Sequence, residues 1–342
     1  MTLKQISELT NLSRATVDRV IHDKPLVSKE AREKVMEVID KYGYVPNKAG
    51  CALATIKKAY KIGVVFYEAS VGDVFYNDVL DGIYKAFDQH KDSGMSLIYR
   101  THAEDTPESQ CKALVEMAEL DVVAIICDPF DSDLTRDAFT ALTEKGVHMI
   151  SVASNIQECE RLFFVGNDNY KSGRTASQMM SMLVPNPGTV LLIAGHMDYE
   201  SHQERLLGIE DHFRENRADL NIERIFDSKN DDDHFYCAVN DYIKKGKRID
   251  GIIIISRGLK GVMKALEENG LSDKTKIGVF DVYKTAKEHL RRGSILFIID
   301  QRPFKQGELV MDYLYEFLVT GQKPAEASTV NSRIIIRENF EH

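Results

Sequence analysis

From residue 61 onward, the sequence alternates short apolar runs with amphipathic stretches, and this alternation constrains the fold more than any other feature. Helical periodicity over 76–90, 107–119 and 133–145 separates the first four apolar runs. Strands that alternate with helices in this way predict a parallel, doubly wound sheet with helices on both faces. The predicted strands cover 62–66, 95–99, 122–127, 148–152, 189–193, 222–226, 251–255, 276–280 and 295–299.

The strand pattern pauses after 148–152 and resumes at 189–193, which predicts two similar α/β halves. Sheets of this kind bind ligands in the crevice at the carboxyl ends of their parallel strands. Two facing halves would therefore place one binding site in the cleft between them. A chain of 342 residues also exceeds the roughly 250–300 residues at which a single core stops growing.

The N-terminal segment follows a different pattern, with short helices in place of strands. Thr2 and Gln5 fit the two partners of a capping box at the start of a first helix. Asn11 suits a left-handed turn residue, and Ser13 is placed to cap a second helix over 14–21. Helix, turn and helix within about twenty residues predict a helix-turn-helix unit.

Charge is divided unevenly along the chain. Residues 1–58 carry eleven Lys or Arg against seven Asp or Glu, whereas the remaining residues carry 33 against 46. The net charge of −9 therefore hides a basic N-terminal segment followed by an acidic remainder. This division favours a polyanionic partner for the N-terminal segment alone, although an excess of this size is by itself a weak signal for nucleic acid.

Cysteine usage and hydropathy restrict other classes of protein. The five cysteines are widely spaced and never form a C-x-x-C pair, which indicates neither a disulfide framework nor a cysteine zinc site. His196, Asp198 and His202 lack a further ligand nearby, so we interpret them as satisfied polar groups and expect no metal and no cofactor. Because no apolar run approaches the roughly 20 residues that span a bilayer, and the N-terminus lacks a signal-peptide core, we expect a cytoplasmic protein.

Several short motifs of the first sixty residues occur together in one order. They are TLKQI at 2–6, LSRATVDRVI at 12–21, the stretch 27–32, YGYVPN at 42–47, and Leu53. Through them the N-terminal segment resembles the lactose-repressor family of bacterial regulators. The remainder is similar to sugar-binding periplasmic proteins. The matching positions are VGNDNY at 165–170, Glu204-Arg205 before Gly208, and Asp300-Gln301 after an apolar strand.

The resemblance implies an α/β protein in which an all-α helix-turn-helix headpiece precedes two Rossmann-like, doubly wound parallel-sheet subdomains of the periplasmic binding protein type I. It also implies a transcription regulator, of the repressor kind, whose affinity for operator DNA is controlled by a small sugar-like effector in the cleft. We expect the headpiece at 1–45, a hinge at 46–60 and the effector domain at 61–342. The expected subdomains are about 61–165 plus 301–325, and about 166–300 plus 326–342.

The second helix of the headpiece is expected to recognise the base sequence of the operator. A helix fits the major groove and guanidinium donors match the two acceptors of guanine, so Arg19 is our candidate for reading a guanine, with a phosphate contact as the alternative. Arg14 and Ala15 match family positions that vary with operator sequence. Lys4, Ser13 and Thr16 are the expected phosphate anchors, and the complete DNA-binding set is Thr2, Lys4, Ser13, Arg14, Ala15, Thr16, Arg19, Asn47 and Leu53.

The hinge contains one family match and one departure. Leu53 matches the leucine that family members wedge into a minor-groove step; the alternative is that it packs against its dimer mate or the effector domain. Gly50-Cys51 stands where alanine and arginine are usual in the family. Because glycine costs a helix about 1 kcal/mol relative to alanine, we expect a hinge helix that is weakly formed without operator.

The effector site is expected at the carboxyl ends of the strands. Phe75 and Tyr76 match the aromatic residues that stack on sugar faces, and Arg205, Asp281 and Gln301 match hydroxyl-binding positions. The alternative is that Phe75 belongs to the core and Asp281 caps the following helix. The expected effector-binding set is Asp73, Phe75, Tyr76, Asn155, Arg205, Arg257, Asp281 and Gln301, in which Asn155 and Arg257, with Ser256 as an alternative, are the weaker candidates.

We expect a homodimer that reads a near-palindromic operator, because symmetry in the protein mirrors symmetry in the DNA. An α/β enzyme is one alternative, yet the chain contains no G-x-G-x-x-G, Walker, H-E-x-x-H or G-x-S-x-G motif. A secreted sugar carrier without a DNA-binding role is the other. The segment Ala153-Ser154-Asn155 replaces the aspartate and arginine of the ribose-binding type, which argues against a simple aldopentose.

Overall fold

The computed structural model describes residues 2–21, 27–42, 59–68, 74–195, 197–227 and 231–340. The predictions on Asn47, Leu53, Asp73, the Gly50-Cys51 pair and His196 fall outside these residues.

Within the described residues of the N-terminal segment, the headpiece has three helices: α1 (Leu3–Thr10), α2 (Arg14–Ile21) and α3 (Lys29–Tyr42). The capping box is confirmed, because the Thr2 hydroxyl accepts from the Gln5 N–H while the Gln5 side chain accepts from the Thr2 N–H. Asn11 adopts the expected left-handed conformation, with φ of 54°. The buried core of the three helices consists of Ile6, Val17, Val20 and Val35.

The rest of the chain alternates strands with helices. From Lys61 to Gly166 the elements are β1 (Lys61–Tyr67), α4 (Val74–Gln89), a 3-10 turn (Lys91–Ser93), β2 (Ser96–His102), α5 (Pro107–Ala118), β3 (Ala124–Cys127), α6 (Asp133–Glu144), β4 (His148–Ala153) and β5 (Phe163–Gly166). Then follow α7 (Asn169–Leu183), β6 (Gly188–Gly195), α8 (Glu200–Asn216), β7 (Leu220–Asp227), α9 (Asp232–Lys244), β8 (Gly251–Ile254), α10 (Leu259–Glu268), β9 (Lys276–Phe280), α11 (Lys284–Arg292) and β10 (Phe297–Asp300). The last elements are α12 (Pro303–Thr320), β11 (Ala327–Thr329), β12 (Arg333–Ile335) and a 3-10 turn (Arg337–Asn339).

The strands of the described segments form two sheets of six, with the orders β11-β5-β4-β3-β1-β2 and β12-β10-β9-β8-β6-β7. Neighbouring strands run parallel, except that β12 is antiparallel to β10. Buried apolar clusters cover both faces of each sheet, as continuous apolar strands require. The predicted architecture, a helical headpiece with two doubly wound parallel-sheet subdomains, is confirmed.

One expected boundary lies a few residues later in the structure. Strand β11 pairs with β5, with Ala327 opposite Phe164, and therefore belongs to the first sheet, whereas β12 belongs to the second. The chain thus makes its last crossing after Thr329 and not at 325–326. The difference has a physical cause: β11 is three residues long and largely exposed, so no apolar run marks it, and the free edge of β5 selects its position.

A close helix contact positions α8, which carries one of the expected site residues. The Cα atoms of Gly208 on α8 and Gly173 on α7 lie where the two helices touch, and a Cβ at Gly208 would stand 2.0 Å from the backbone oxygen of Tyr170. A Cβ at Gly173 would stand 2.1 Å from the backbone oxygen of Arg205. Glycine at both positions therefore sets the distance of α8 from the cleft.

Replacing Gly208 with alanine is expected to lower the free energy of unfolding by about 1–3 kcal/mol, because the added methyl group forces α7 and α8 apart. Urea unfolding of the full chain measures this change. Leu207→Ala on the same helix is the control, since Leu207 is half-exposed and its truncation should cost only about 0.5 kcal/mol. Equal losses for the two variants would contradict the close-contact argument.

Candidate functional site

The carboxyl ends of the strands in both sheets border one cleft of about 680 Å³ between the subdomains. Of the expected effector residues within the described segments, the cleft brings together Phe75, Tyr76, Arg205, Arg257, Asp281 and Gln301. The cleft therefore has the size of a pocket for a small polar molecule.

An aromatic pair at the start of α4 forms part of the first wall. The Phe75 and Tyr76 rings meet edge to face with centroids 5.6 Å apart, and Tyr76 stacks on the buried Phe66 at 5.4 Å. Both Phe75 and Tyr76 are half-buried and pack partly against the core of the first subdomain. Both residues therefore pack on the core and also line the cleft, so the core position that the sequence left open for Phe75 does not remove it from the cleft.

Asp128, directly after β3, is a buried carboxyl in this wall that the sequence analysis missed. It accepts hydrogen bonds from the Tyr76 hydroxyl at 2.9 Å and from the Ser154 backbone N–H at 2.9 Å. Burial raises the pKa of Asp128 to about 7, against the lowering effect of these donors. Its place at the carboxyl end of an apolar strand was a usable signal, since that edge faces the cleft.

Arg205 on α8 is the centre of a buried hydrogen-bond network in the second wall. Its guanidinium donates to Asn169 Oδ1 at 2.9 Å, to the Ile255 carbonyl at 3.1 Å and to Gln301 Oε1. The guanidinium also lies over the Phe280 ring, 4.8 Å from the centroid. Burial lowers the pKa of this arginine, and the Asp281 and Asp128 carboxylates oppose that effect.

Gln301 links this network to Asp281. The Gln301 amide donates to Asp281 Oδ1 at 2.6 Å, and its own oxygen accepts from Arg205. The N-cap residue of α11 is Tyr283 and not Asp281. The Asp281 carboxylate lines the cleft and accepts the hydrogen bond from Gln301.

The weaker candidates differ in their positions. Arg257 lines the cleft beside Ser256, whose hydroxyl accepts from the Gly195 N–H at 2.8 Å. Asn155 does not line the cleft: its side chain is buried and its backbone N–H donates to Glu200 Oε2 at 3.4 Å. The structure therefore does not place Asn155 with the other expected effector residues: Ala153 at the end of β4 lines the cleft, whereas Ser154 and Asn155 contact Ser201 and Glu200 at the start of α8.

The headpiece presents the expected recognition residues on one side of α2. Arg14, Ala15 and Arg19 are exposed, whereas Val17 and Val20 point into the core. The two hydroxyls at the start of the helix contact each other: Ser13 Oγ accepts from the Thr16 N–H at 3.1 Å and lies 2.8 Å from Thr16 Oγ1. Thr2 and Lys4 are also exposed, and the Lys4 ammonium lies 3.9 Å from Glu8.

Residues 2–47 match the family model described as bacterial regulatory proteins, lacI family, and residues 62–323 match a periplasmic binding protein domain. The chain belongs to the lacI family of bacterial regulatory proteins. This lacI-family chain is therefore a transcription regulator with a DNA-binding headpiece and a periplasmic-binding-protein-like domain behind it. The three helices and the two-sheet fold described above are the parts to which the two models correspond.

Similar proteins cover this lacI-family chain to different extents. It is 24% identical over 327 residues to the HTH-type transcriptional regulator MalR of Clostridium butyricum, which covers 94% of the chain and 93% of that protein. It is 27% identical over 214 residues to MalR of Staphylococcus xylosus, covering 61% of the chain and 60% of that protein. Among solved structures, GanP, a glucose-galactose binding protein from Geobacillus stearothermophilus, matches 82% of the chain and 98% of its own at 21% identity, with a TM-score of 0.75.

The described residues contain neither a helix that could span a membrane nor a cluster of metal-binding side chains. None of the helices in these segments is long and apolar enough to cross a bilayer. In the same segments, no group of three or more His, Cys, Asp or Glu side chains is arranged to hold a metal ion.

Proposed function

We propose that this chain represses transcription in response to a sugar or sugar derivative. One observation carries the proposal: a single chain combines an exposed recognition face on α2 with a cleft that pairs half-buried aromatic rings with buried hydrogen-bonding groups. In this proposal the headpiece holds operator DNA and occupancy of the cleft changes the affinity for it. We further propose that the chain has no catalytic role and works in the cytoplasm, where the DNA is.

The chemistry of the cleft suits a sugar. A sugar ring presents apolar C–H faces, which the Phe75 and Tyr76 rings can cover, and many hydroxyls. The network of Arg205, Gln301 and Asp281 offers charged donors and acceptors to those hydroxyls. The name of GanP, a glucose-galactose binding protein of similar fold, supports the same class of ligand.

Thermal-shift screening of the full chain tests this assignment. Glucose, galactose, other sugars, polyols and sugar phosphates are the probes, because a ligand at a hundredfold excess over its dissociation constant adds about 2.7 kcal/mol. A sugar that stabilises the chain should also change its affinity for a promoter fragment, and the operator must change sugar affinity by the same factor. If no probe shifts the melting temperature, or if sugar affinity is identical with and without operator, the sugar-responsive mechanism is contradicted.

We also propose that the chain works as a homodimer on a near-palindromic operator. Two headpieces related by a two-fold axis would read half-sites about 34–36 Å apart or a multiple of that spacing. Exposed apolar side chains stand close to the outer strands of both sheets: Tyr84 lies beside Tyr99 of β2, and Phe226 is on β7. Sedimentation velocity with and without operator tests the dimer, and a monomer on DNA would contradict it.

Replacing Arg19 with alanine is expected to weaken operator binding by about 1–3 kcal/mol, because the exposed guanidinium has the geometry to bind both acceptors of a guanine. Gel shifts with the operator and with single-base variants of it measure the loss. If Arg19 reads a guanine, the variant also loses discrimination at one base pair. If it contacts phosphate, binding weakens equally on all sequences and the salt dependence becomes shallower. The control is Lys34→Ala on α3, where the lysine pairs with Glu30 at 2.9 Å.

A further inference from the structure

The segment 198–201 leads from the end of β6 into the first turn of α8 and makes non-covalent contacts with the first subdomain; we call it the latch. Its main anchor is Tyr199, whose side chain is 5% exposed although it lies at the edge of the cleft. The Tyr199 hydroxyl donates to Asp105 Oδ1 of the first subdomain at 2.9 Å. The Tyr199 ring stacks on Phe130, also of the first subdomain, with centroids 4.4 Å apart.

The other latch residues add hydrogen bonds to two loops of the first subdomain, those after β3 and β4. The Ser201 hydroxyl lies 2.8 Å from the Ser154 hydroxyl, and both side chains are buried. The remaining bonds run from the Asp131 N–H to the Asp198 carbonyl at 2.7 Å and from the Asn155 N–H to Glu200 Oε2 at 3.4 Å. Every latch residue therefore contacts the first subdomain.

The surface that receives the latch is held by the first subdomain's own bonds. The Phe130 N–H donates to Gln110 Oε1 at 3.1 Å, and the Gln110 amide donates to the Asp128 carbonyl at 2.8 Å. Phe130 is fully buried and Gln110 is 1% exposed. The position that Tyr199 stacks on is thus fixed by internal contacts and does not depend on a ligand.

The latch is separate from the covalent connections between the subdomains. The chain crosses from one subdomain to the other after β5, after β10 and after β11, and the latch is in none of these segments. A hinge rotation about the crossings would separate β6–α8 from the loops after β2, β3 and β4. All the latch contacts would then break together, so they exist only in the closed arrangement.

We propose that the latch, and not effector contacts alone, sets the balance between the open and closed subdomains, and through it the affinity for operator. This inference rests on the proposed function, because it assigns a mechanical basis to the same control of DNA binding. A ligand can shift such a balance only by its difference in affinity between the two arrangements. The latch bonds stabilise the closed arrangement even without a ligand. Weakening them therefore lowers the fraction of closed protein that is present before the effector binds.

A disulfide across the latch tests the proposal. The Ser154 and Ser201 hydroxyls are 2.8 Å apart, so the pair Ser154→Cys and Ser201→Cys places two sulfur atoms within reach of a bond of about 2.05 Å. We expect diamide to form this bond in the full chain without any sugar, as judged by mass spectrometry of peptides. The oxidised protein should differ at least about fivefold from the reduced protein in operator affinity, and galactose or glucose should no longer change it.

Controls separate the designed bond from the native cysteines. The chain already holds Cys111, Cys127, Cys159 and Cys237 among its described residues, so the two single variants, neither of which can form the designed bond, are oxidised in parallel. Dithiothreitol should restore the behaviour of the reduced double variant. A third variant, Tyr199→Phe, loses the bond to Asp105 but keeps the stack on Phe130. Without sugar, its operator affinity should move in the opposite direction from that of the disulfide.

The outcomes distinguish this inference from the proposed function. If the reduced double variant is folded by circular dichroism and no disulfide forms, the latch is not populated and the inference is wrong. If the disulfide forms but operator affinity and the sugar response stay unchanged, the latch exists without regulating DNA binding, and the inference is also wrong. If the wild-type chain binds no promoter fragment, the proposed function fails, whereas disulfide trapping and small-angle scattering of the oxidised and reduced forms still report on the latch.

Discussion

Replacing Arg205 with alanine is expected to abolish stabilisation by any sugar and to lower the free energy of unfolding by about 3 kcal/mol or more. Arg205 is 3% exposed, and its guanidinium donates to Asn169, Ile255 and Gln301. Its removal leaves these acceptors buried without donors, and each unsatisfied buried group costs about 1–3 kcal/mol. Gln301 also loses the contact that orients it toward Asp281, so the hydroxyl-binding groups of the cleft lose their arrangement.

Urea unfolding and thermal shift on the full chain measure both effects. Arg214→Ala is the matched control, since Arg214 lies on the same helix but its side chain is 73% exposed, where its pair with Asp211 contributes at most about 1 kcal/mol. Arg205→Lys is a second test if the alanine variant fails to fold. Lysine keeps the positive charge but lacks the planar set of donors, so sugar affinity should still fall. A full sugar response in Arg205→Lys and Arg205→Ala alike would show that the cleft network has no part in binding.

The headpiece was predicted closely from sequence because its determinants are local. The capping box of Thr2 and Gln5 and the left-handed Asn11 involve residues at most a few positions apart. The helix bounds follow from these contacts and from the apolar spacing of the core. No distant part of the chain is needed to define them.

The strands that the sequence did not reveal are those that depend on distant pairing. Strand β5 has four buried residues, but β11 and β12 have three each and are exposed or half-buried. Strand β11 is selected by the edge of β5, and β12 by the edge of β10. The positions of these strands are therefore determined by the assembled sheets, and the hydropathy pattern along the chain does not predict them.

Some residues of the candidate site were likewise predictable from sequence, and others were not. Resemblance to a family pointed to Arg205, Asp281 and Gln301, and the cleft brings all three together. The family pattern gave no indication of Asp128 or Tyr199, since their importance arises from burial and from contacts between loops that are far apart in sequence. The burial of Asp128 also leads to a prediction about the pH dependence of stability, which does not depend on the identity of the ligand.

The contribution of Asp128 to the free energy of unfolding is expected to fall as pH rises from about 4 to about 7. Its pKa is raised to about 7 in the folded protein, mainly by burial, against 3.8 as the ordinary value. Over that range the folded protein keeps a proton that the unfolded chain releases, so the free energy of unfolding decreases with increasing pH. At about 1.36 kcal/mol for each unit, the loss reaches about 4 kcal/mol at most above pH 7.

Asp128→Asn removes this titration while its amide oxygen can still accept from the Ser154 N–H, as Asp128 does at 2.9 Å. Urea midpoints of both proteins from about pH 5 to about pH 8 should therefore diverge, with the asparagine variant gaining stability relative to wild type as pH rises. Other shifted groups, such as the buried His102, whose pKa burial lowers, contribute equally to both curves and cancel in the difference. The control Asp133→Asn changes a carboxylate whose side chain is 98% exposed, and its curve should stay parallel to wild type. Parallel curves for Asp128→Asn as well would mean that the buried carboxyl is already ionised at neutral pH, because only a group that changes its protonation between the two states gives a slope.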